Sequence, residues 1–447
     1  MKKLNLSILT ILAVLLSLSV MTTGCSSDDD TPIVADPDPD PDPDPDPIDF
    51  AADADAWTTS IQEGQQSTGA DLSVFGWTYT ASQAADNIDG LSYDNPDWSA
   101  DITNPQPAET REGFITQDET WTNDRFWILT GKTFVQDGVT LTIEAGTIIK
   151  GAASTGSNAS ALIVARGGKL IADGSADKPI IFTAESDDIE LGKNAGTNLG
   201  IDDRNLWGGL LVLGKARGSF SGDAEAIQIE GIPASEPGLY GGTDDNDNSG
   251  ILDYVSVRHG GAVIGSDNEI NGITLGSVGS TTEISNIEVV ANLDDGVEWF
   301  GGNVDVNNVL VWGCADDQLD CDEAYSGTIS NALTVSTNVS DHALEIDGPA
   351  GSFQAGFIID GLTMIGDNSQ TIDGVSGNRE YTDLRDGALV TIKNVYAFGF
   401  KSGSDVEIDD ATSLENYNNG DIKFENWQIV YPAGDDNSVM WNNTVEQ

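Results

Sequence analysis

Short apolar runs alternate with polar, Gly-rich or Asp-rich segments along most of the chain after residue 113. The runs are rich in Val, Ile, Leu and Thr, and Gly, Asp or Asn follows them closely, as in the stretches beginning at Val139 and Ala161. Such runs predict β-strands, because β-branched side chains favour extended backbone and the residues between them favour turns. No helical periodicity competes with this pattern.

One pattern returns at nearly constant spacing between residues 285 and 347. Its first part begins at Asn286, Asn308 and Asn331, which lie 22 and 23 residues apart. Its second part is Asp294-Asp-Gly-Val-Glu298, Asp316-Asp-Gln-Leu-Asp320 and Asp341-His-Ala-Leu-Glu345. A period of this length with two strand-like runs predicts a solenoid in which each repeat is one coil. We therefore predict an all-β fold, a right-handed parallel β-helix, with the handedness taken from the usual chirality of parallel crossovers.

Looser copies of the first part begin at Asp253, Asp360, Asn394 and Asn426, with spacings of 29 to 34 residues between the outer copies. Longer spacings are expected where a coil carries a loop insertion, because extra residues on one face leave the stacked strands undisturbed. The β-helix is therefore predicted over residues 114–431, with residues 432–447 as a carboxy-terminal tail.

The amino-terminal residues 1–24 have two Lys followed by an apolar run, which is typical of a secretion signal. Gly24 directly before Cys25 resembles the lipobox of bacterial lipoproteins, in which that Cys is lipidated, although Thr22 stands where the lipobox usually has Leu. The acidic run after Cys25 resembles the tag that directs lipoproteins of the Bacteroidota to the cell surface. We expect a protein anchored by lipid to the outer membrane and exposed on its outer face.

Residues 25–49 form the predicted linker, a disordered segment that follows the lipidated Cys. Asp and Pro alternate from Asp36 to Pro47, so this part is expected to be a semi-rigid, extended spacer. Residues 50–113 lack the coil pattern but are rich in Trp, Tyr and Phe. Because the first coil of a solenoid exposes an apolar end, this region is predicted to be an irregular amino-terminal cap. A sugar-binding module with these aromatic residues as its platform is the alternative.

The charge of the chain limits its partners. Among 447 residues, 74 Asp and Glu stand against 19 Lys and Arg, which gives a formal net charge of −55. Nucleic acid is excluded as a partner, because its phosphates require a basic surface. Cations are the expected partners, and solubility alone is the simpler interpretation of the same charge.

Several blocks of the sequence resemble a Bacteroidota family of surface lipoproteins with a pectin lyase-like β-helix. The blocks are residues 139–183 and 207–215, Tyr240-Gly-Gly, residues 247–261, Asp295-Gly-Val-Glu-Trp-Phe-Gly-Gly302 and residues 316–327. The resemblance covers most of the chain after residue 113. It implies the fold and the surface location and leaves the chemistry open.

Three acidic residues alternate with apolar residues in the second strand of the central coils: Glu298, Asp320 and Glu345. If the apolar residues face the core, the carboxylates face outward and stack about 4.8 Å apart on successive coils. Asp322 and Asp347 extend this acidic face. Carboxylates so close together cannot all be ionised unless a cation lies between them or one of them holds a proton. Ca²⁺ is the expected cofactor, since it accepts many oxygen ligands in loose geometry.

A second candidate calcium site is a loop with oxygen side chains at alternate positions: Asp245, Asp247, Ser249 and Asp253. It matches the opening of an EF-hand loop, but Ser256 stands at the twelfth position, where an EF-hand has Glu. The alternative is a polar turn.

Two further predictions concern side chains of the central coils. Asn286, Asn308 and Asn331 are expected to form a ladder of hydrogen-bonded amides. Once Cys25 is acylated, Cys314 and Cys321 remain, and an even pair in an exported protein suggests a disulfide. Cys321 in a core position is the alternative.

Two functions remain open from the sequence. The first is a lipid-anchored binding or adhesion protein that takes divalent cations, with a glycan or an outer-membrane transporter as its ligand. The alternative is a polysaccharide hydrolase or lyase of the pectin lyase-like class, with Glu298, Asp320 and Glu345 as catalytic acids. Asp316-Asp317 followed by Asp320 resembles the paired aspartates of polygalacturonases, but the other motifs of those enzymes are missing.

The two functions predict different surroundings for the acids. An enzyme should place a basic or His partner in the same groove, whereas a binding protein should not. Arg258 is the basic residue near the repeats that suits a lyase, although pairing with a nearby carboxylate is its simpler role. His342, next to Asp341, is expected to be structural.

Overall fold

Three parallel β-sheets run side by side along the chain and enclose one apolar core. The computed structural model describes residues 49–153, 156–264, 269–368 and 380–443, so the predicted signal, Cys25 and the Asp-Pro spacer lie outside the described residues. Within them, successive coils pair in parallel through almost the whole sheet. The chain is a right-handed parallel β-helix, as the sequence predicts.

The first sheet, sheet A, consists of one short strand from each coil. It is built from residues 113–115 of strand Glu109–Ile115, residues 132–135 of strand Phe126–Val135, and the strands Ala161–Val164, Leu210–Leu213, Ile273–Gly276, Val297–Phe300, Leu319–Asp322, Leu344–Asp347, Thr382–Arg385, Val406–Ile408 and Trp441–Asn443. The last of these strands lies within the predicted carboxy-terminal tail. The stack of coils therefore extends beyond residue 431.

Sheets B and C share the longer strands. In the first coils, separate strands form the two sheets. Sheet B begins with the strands Glu119–Trp121, Thr140–Ile143 and Lys169–Asp173. Sheet C begins with the first halves of Glu109–Ile115 and Phe126–Val135, followed by Ile148–Gly151 and Ile180–Ala184. From residue 250 onward, one kinked strand per coil spans both sheets: Gly250–Arg258, Glu283–Val290, Val306–Trp312, Thr328–Val335, Phe357–Ile365, Val390–Phe398 and Lys423–Ile429.

Each kinked strand turns from sheet B to sheet C at a residue with left-handed backbone. φ is +50° at Asn286, +59° at Asn308 and +57° at Asn331. Asn tolerates this conformation better than most residues with a side chain. The Asn308 side-chain amide donates to Asn286 Oδ1, and that of Asn331 donates to Asn308 Oδ1, each at 2.8 Å. The predicted Asn ladder is confirmed.

The two looser copies that begin with Asp enter this ladder one residue out of step. Tyr254 and Gly361 take the left-handed position, with φ of +52° and +79°. The preceding carboxylates of Asp253 and Asp360 accept the amide hydrogen bonds of the next Asn, each at 2.7 Å. Asp therefore replaces the Asn carbonyl from the neighbouring position.

The amino-terminal region does not cap the first coil, and this prediction is wrong. Its strand Thr58–Ser60 instead pairs with Trp427–Ile429, which makes it the last strand of sheet C. Phe50 packs against Phe424 and Trp441, with ring centroids 5.8 and 5.4 Å apart. The carboxy-terminal end of the core carries this aromatic cluster, so covering it removes apolar surface from water.

From that end, residues 62–98 run back along the outside of sheet C, and we call this segment the strap. The Ala70 N–H donates to Thr363 Oγ1 at 2.9 Å, and the indole N–H of Trp98 donates to the Gly146 carbonyl at 3.1 Å. Between these points, buried Phe75 packs in one cluster with Leu310 and Leu333. The strap thus spans the stack from its last coils to its first.

Helices are short and lie outside the three sheets. The α-helices are Phe50–Asp53, Tyr79–Ala84, Ala411–Asn419 and Asn437–Met440, and the 3-10 helices are Ala54–Ala56, Leu72–Phe75, Ser99–Asp101, Gly156–Asn158 and Ser221–Asp223. A small antiparallel pair, Ile227–Gln228 with Leu239–Tyr240, lies in the long connection between strands Leu210–Leu213 and Gly250–Arg258. We call this connection, residues 214–249, the excursion.

Candidate functional site

One outward row of sheet A changes from apolar to acidic along the stack. In register, the row is Phe114, Phe134, Ile163, Leu211, Thr274, Glu298, Asp320, Glu345, Asp383, Glu407 and Asn442. We call its five carboxylates the acid ladder. Most of the apolar half lies in one cluster with Phe220 and Tyr240 of the excursion. The predicted stack of Glu298, Asp320 and Glu345 is formed, and two more acids continue it.

The ladder is not the exposed acidic face that the sequence predicts. Glu298, Asp320 and Glu345 point away from the core, yet they are only 5, 6 and 8% exposed. Adjacent rungs of a β-sheet are about 4.8 Å apart, so the carboxylates crowd one another. The Asn271 side-chain amide also donates to Glu298 Oε2 and shields it from water. Ions in such a position lose most of their hydration.

The first cluster consists of two acids of the ladder, Glu298 and Asp320, and the nearby Asp295. Their carboxylate oxygens lie within 4.8 Å of one another, and all three residues are buried. Burial, and then the charge of Asp295, raises the pKa of Glu298 well above its usual value. Burial, followed by the charges of Asp322 and Glu298, does the same for the pKa of Asp320. Asp320 Oδ1 has no hydrogen-bond partner within the described residues.

Asp294 and Asp316 extend the first cluster toward the loops that precede the strands. With Asp295 they place three carboxylate oxygens within 4.8 Å. Burial and the charge of Glu230 raise the pKa of Asp294 to about 7. In the second part of the repeat, the Asp residues that precede the strands therefore lie close to the acids within the strands.

Two basic side chains balance the negative charge at the centre of the ladder. His342 Nδ1 lies 2.8 Å from Asp317 Oδ1 and 3.4 Å from Glu345 Oε2. Arg385 bonds to Glu345 and, at 2.6 Å, to Asp347 Oδ1. Burial opposes the charge on the imidazole, but the Asp317 carboxylate and its hydrogen bond raise the pKa of His342 to about 12. Burial acts against ionisation of Glu345 as well, yet the bond from His342 and the charge of Arg385 lower its pKa.

The terminal cluster consists of Glu380, Asp405 and Glu407. Three of their carboxylate oxygens lie within 4.8 Å of one another. Burial, and then the charge of Asp405, raises the pKa of Glu380 to about 8. Burial raises the pKa of Asp405, and of the nearby Asp383, to about 6.

The predicted calcium loop does not converge on a common point. The Asp245 carboxylate is bonded to Arg217, with Nε 2.9 Å from Oδ2. Asp247 accepts from Ser249 Oγ at 3.0 Å, while Asp253 accepts from Asn286 in the ladder described above. Each side chain makes its own local contact, and calcium binding by this loop stays a prediction.

The predicted disulfide is not formed, because Cys314 and Cys321 are free thiols that both belong to the apolar core. Burial raises the pKa of Cys314 to about 12 and that of Cys321 well above its usual value. Cys321 is the next residue along the strand from Asp320, and the alternation of a strand turns its side chain inward.

Arg258 does not lie beside the acid ladder. It is wholly buried beneath the strap, where its guanidinium carbon lies 4.8 Å from the Tyr79 ring centroid. Its Nη1 donates to the Asn194 carbonyl at 2.6 Å, and its Nη2 is 3.9 Å from Glu288. This position excludes it as the base of a lyase that acts at the ladder.

A separate cleft of about 530 Å³ opens between the strap and sheet C. Tyr396 and Phe398 line it with stacked rings whose centroids are 4.9 Å apart. The carboxylates of Glu63, Asp71 and Asp89 also line it. The cleft therefore combines an aromatic surface with several hydrogen-bond acceptors.

Sequence reasoning named Asp317 and His342 without placing them beside the ladder. It missed several other residues that the fold brings there: Asp294, Asp295, Glu380, Asp383, Arg385, Asp405 and Glu407. A usable signal exists in Thr382-Asp-Leu-Arg and Val406-Glu-Ile, where an acid again stands between inward-facing residues. The long insertion before residue 380 interrupts the period and hides that alternation.

A protein-family model described as a pectate-lyase like beta helix domain matches residues 113–446 of this chain. The match covers all coils after the first strand of the stack. Comparison with curated proteins and with solved structures gave no match. In the part of the chain that the structure describes, no helix is both long enough and apolar enough to cross a membrane.

Proposed function

The chain belongs to the pectate-lyase-like β-helix domain family, and from this premise we propose that it is a binding or adhesion protein whose acid ladder holds Ca²⁺. The observation that carries the proposal is the first cluster, Asp295, Glu298 and Asp320. Three buried carboxylates lie together there, and within the described residues none of them forms an ion pair with a basic side chain. A buried excess of negative charge requires either protons or a cation.

Ca²⁺ is the favoured ion because every ligand atom of the first cluster is an oxygen. Asp320 Oδ1, which has no hydrogen-bond partner among the described residues, supplies a free lone pair for it. Ca²⁺ accepts oxygen ligands in flexible geometry, whereas Mg²⁺ requires a near-ideal octahedron. The cation would replace the protons that the acids otherwise retain.

Calorimetric titration of the metal-free chain with CaCl₂ at pH 7.5 tests this proposal. The variant Glu298→Gln/Asp320→Asn removes two charges and keeps the side-chain volumes, so it should bind one Ca²⁺ fewer per chain. Glu283→Gln, an exposed acid of a neighbouring kinked strand, is the matched control and should bind as the wild type does. Equal binding by wild type and double variant would overturn the proposal.

We also propose that the protein is a lipoprotein of a Bacteroidota cell surface, held in the outer membrane through Cys25. The leader, the Gly-Cys pair and the acidic residues that follow support this location. Protease added to intact cells should remove the β-helix from wild-type cells. A Cys25→Ala chain should be lost from the outer-membrane fraction, and retention of that variant would contradict lipid anchoring.

For the ligand of the binding function we propose a saccharide in the cleft under the strap. Sugar rings present C–H faces that pack on aromatic rings and hydroxyls that donate to carboxylates, and the volume of the cleft is in the range of ligand sites. Phe398→Ala should abolish retardation of the protein in native gels that contain the cognate polysaccharide. Phe114→Ala, at an exposed Phe of the first coil, is the control.

A polysaccharide-degrading enzyme is the second candidate, favoured by one specific observation. His342 and Arg385 join the acid ladder, which is the pairing that distinguishes an enzyme from a binding protein. It ranks second because Glu298, Asp320 and Glu345 are nine-tenths buried, and a general acid must reach the glycosidic oxygen. Release of reducing ends or of unsaturated products by the wild type, but not by His342→Gln, would establish the enzyme.

A further inference from the structure

We infer that Glu380, Asp405 and Glu407 form a second Ca²⁺ site at the carboxy-terminal end of the acid ladder. The residues belong to the last coils and share no ligand with the first cluster. The choice of Ca²⁺ rests on the proposed function, but the two sites consist of different residues. An experiment can therefore disprove one site and leave the other.

The strongest evidence is an unpartnered oxygen in a buried side chain. Asp405 is only 6% exposed, and its Oδ1 has no hydrogen-bond partner within the described residues. Its other oxygen, Oδ2, accepts from the Asn442 side-chain amide at 3.0 Å. Asn442 therefore holds the carboxylate on one side, and one oxygen each of Asp405, Glu380 and Glu407 lie within 4.8 Å of one another. A buried acceptor without a donor is costly unless a cation satisfies it.

Nearby charges do not neutralise the terminal cluster. Glu380 shares His342, whose Nε2 lies 3.6 Å from Glu380 Oε2 while its Nδ1 is bonded to Asp317. In the described parts of the chain, neither Asp405 nor Glu407 forms an ion pair with Lys or Arg. Three carboxylates against one shared imidazole leave a negative excess, and their oxygen-only ligand set suits Ca²⁺.

The two sites are far enough apart to bind independently. Asp320 and Glu407 stand three rungs apart in the register of sheet A, which corresponds to about 14 Å. Between them lie His342 and Arg385, which already balance Glu345. The ladder thus has a compensated centre between two uncompensated ends.

A cation in the terminal cluster would join the strand that begins after Glu380 to the last coils. The Tyr381 N–H already donates to the Asp405 carbonyl at 2.8 Å, and Glu407 is in register with Asn442 of the last strand. Ca²⁺ there would add a link among these segments at the end of the stack. It should therefore slow the opening of strand Trp441–Asn443.

The first test counts bound Ca²⁺ by equilibrium dialysis of the full-length chain at pH 7.5. We expect two ions for the wild type, one for Asp405→Asn/Glu407→Gln and one for Glu298→Gln/Asp320→Asn, while the exposed-site control Glu425→Gln should keep two. A terminal-cluster variant that binds as many ions as the wild type would overturn the inference. If only the first-cluster variant binds as the wild type does, the proposed function fails and this inference stands.

The second test needs no variant and so does not depend on variant folding. Hydrogen exchange of residues 441–443 in the wild-type chain should slow by up to about 100-fold when free Ca²⁺ is 100 times its dissociation constant. Protection that is the same with Ca²⁺ and with EDTA would contradict a cation at this end.

Discussion

Glu298 and Asp320 are register partners on adjacent rungs of sheet A, and neither forms an ion pair with a basic side chain in the described residues. One rung further along, Glu345 has both His342 and Arg385 as partners. The same row therefore holds acids with and without counter-charge. This difference, rather than the overall acidity of the chain, indicates where a cation would bind.

The Asn ladder should contribute measurably to stability. Asn308→Ala removes a hydrogen bond to Asn286 and one from Asn331, and it places Ala at a φ of +59°. The combined loss should be about 2–4 kcal/mol of the free energy of unfolding. Asn308→Gly loses the same bonds without the backbone strain, so it should cost less. Urea unfolding measures both, and a Gly variant less stable than the Ala variant would contradict the role of φ.

The strap should depend on one buried carboxylate of sheet C. Glu288 is fully buried and accepts from the backbone N–H groups of Tyr79 and Thr80 at 3.0 and 2.7 Å. Glu288→Ala leaves those donors without their acceptor and the buried Arg258, 3.9 Å away, without its counter-charge, and it should cost about 3 kcal/mol or more. Limited proteolysis should then cut within residues 62–98. Glu283→Gln, on the same strand but exposed, should leave the strap resistant, and equal cleavage of both variants would refute the assignment.

Both core thiols should be inaccessible in the folded protein. A Cys25→Ser chain should react with a thiol reagent at two sites in guanidinium and far more slowly when native, because Cys314 and Cys321 are buried with raised pKa values. Reductant should not change the unfolding midpoint. Failure to find two thiols in the unfolded, unreduced chain would restore the disulfide.

Without metal, stability should fall as pH rises from about 5 to 8. Burial raises the pKa of Asp383 to about 6, of Asp294 to about 7 and of Glu380 to about 8, from ordinary values of 3.8 for Asp and 4.5 for Glu. In this range the folded chain therefore binds more protons than the unfolded chain, so raising the pH favours unfolding. Thermal unfolding in EDTA at several pH values measures the slope.

Repulsion among surface acids could produce the same slope, and salt separates the two causes. Surface repulsion is screened at high ionic strength, whereas the buried ladder is screened much less. The slope should therefore persist in high salt. A midpoint that rises from pH 5 to pH 8 in EDTA would contradict raised pKa values in the ladder.

The architecture was predictable because the repeat in the sequence is the repeat in the structure. Asn286, Asn308 and Asn331 recur at the spacing of one coil, and each supplies both the left-handed turn and the ladder bond. The strap was not predictable, because its residues have no period of their own. Their partners are outward residues such as Glu288 and Leu310, which the pattern of strands leaves unassigned.

The candidate site was predictable only in part. The alternation in the central coils places Glu298 and Asp320 in one row, but their burial depends on neighbours such as Asn271 from another loop. The end of the ladder was hidden because residues 348–379 separate Asp347 from Glu380 and Asp383. The cap was assigned to the wrong end because sequence order favours the nearest coil, whereas packing favours the aromatic cluster around Trp441.

Thermal unfolding at pH 7.5 with CaCl₂ or with EDTA tests the central claim most directly. The wild type, with two ions bound, should unfold about 6 °C higher when Ca²⁺ exceeds its dissociation constants about 100-fold. Glu298→Gln/Asp320→Asn should show a clearly smaller shift, retaining only the share of the terminal cluster, while Glu283→Gln should shift as the wild type does. No shift of the wild type, or an equal shift of the double variant, would contradict a cation held by the first cluster.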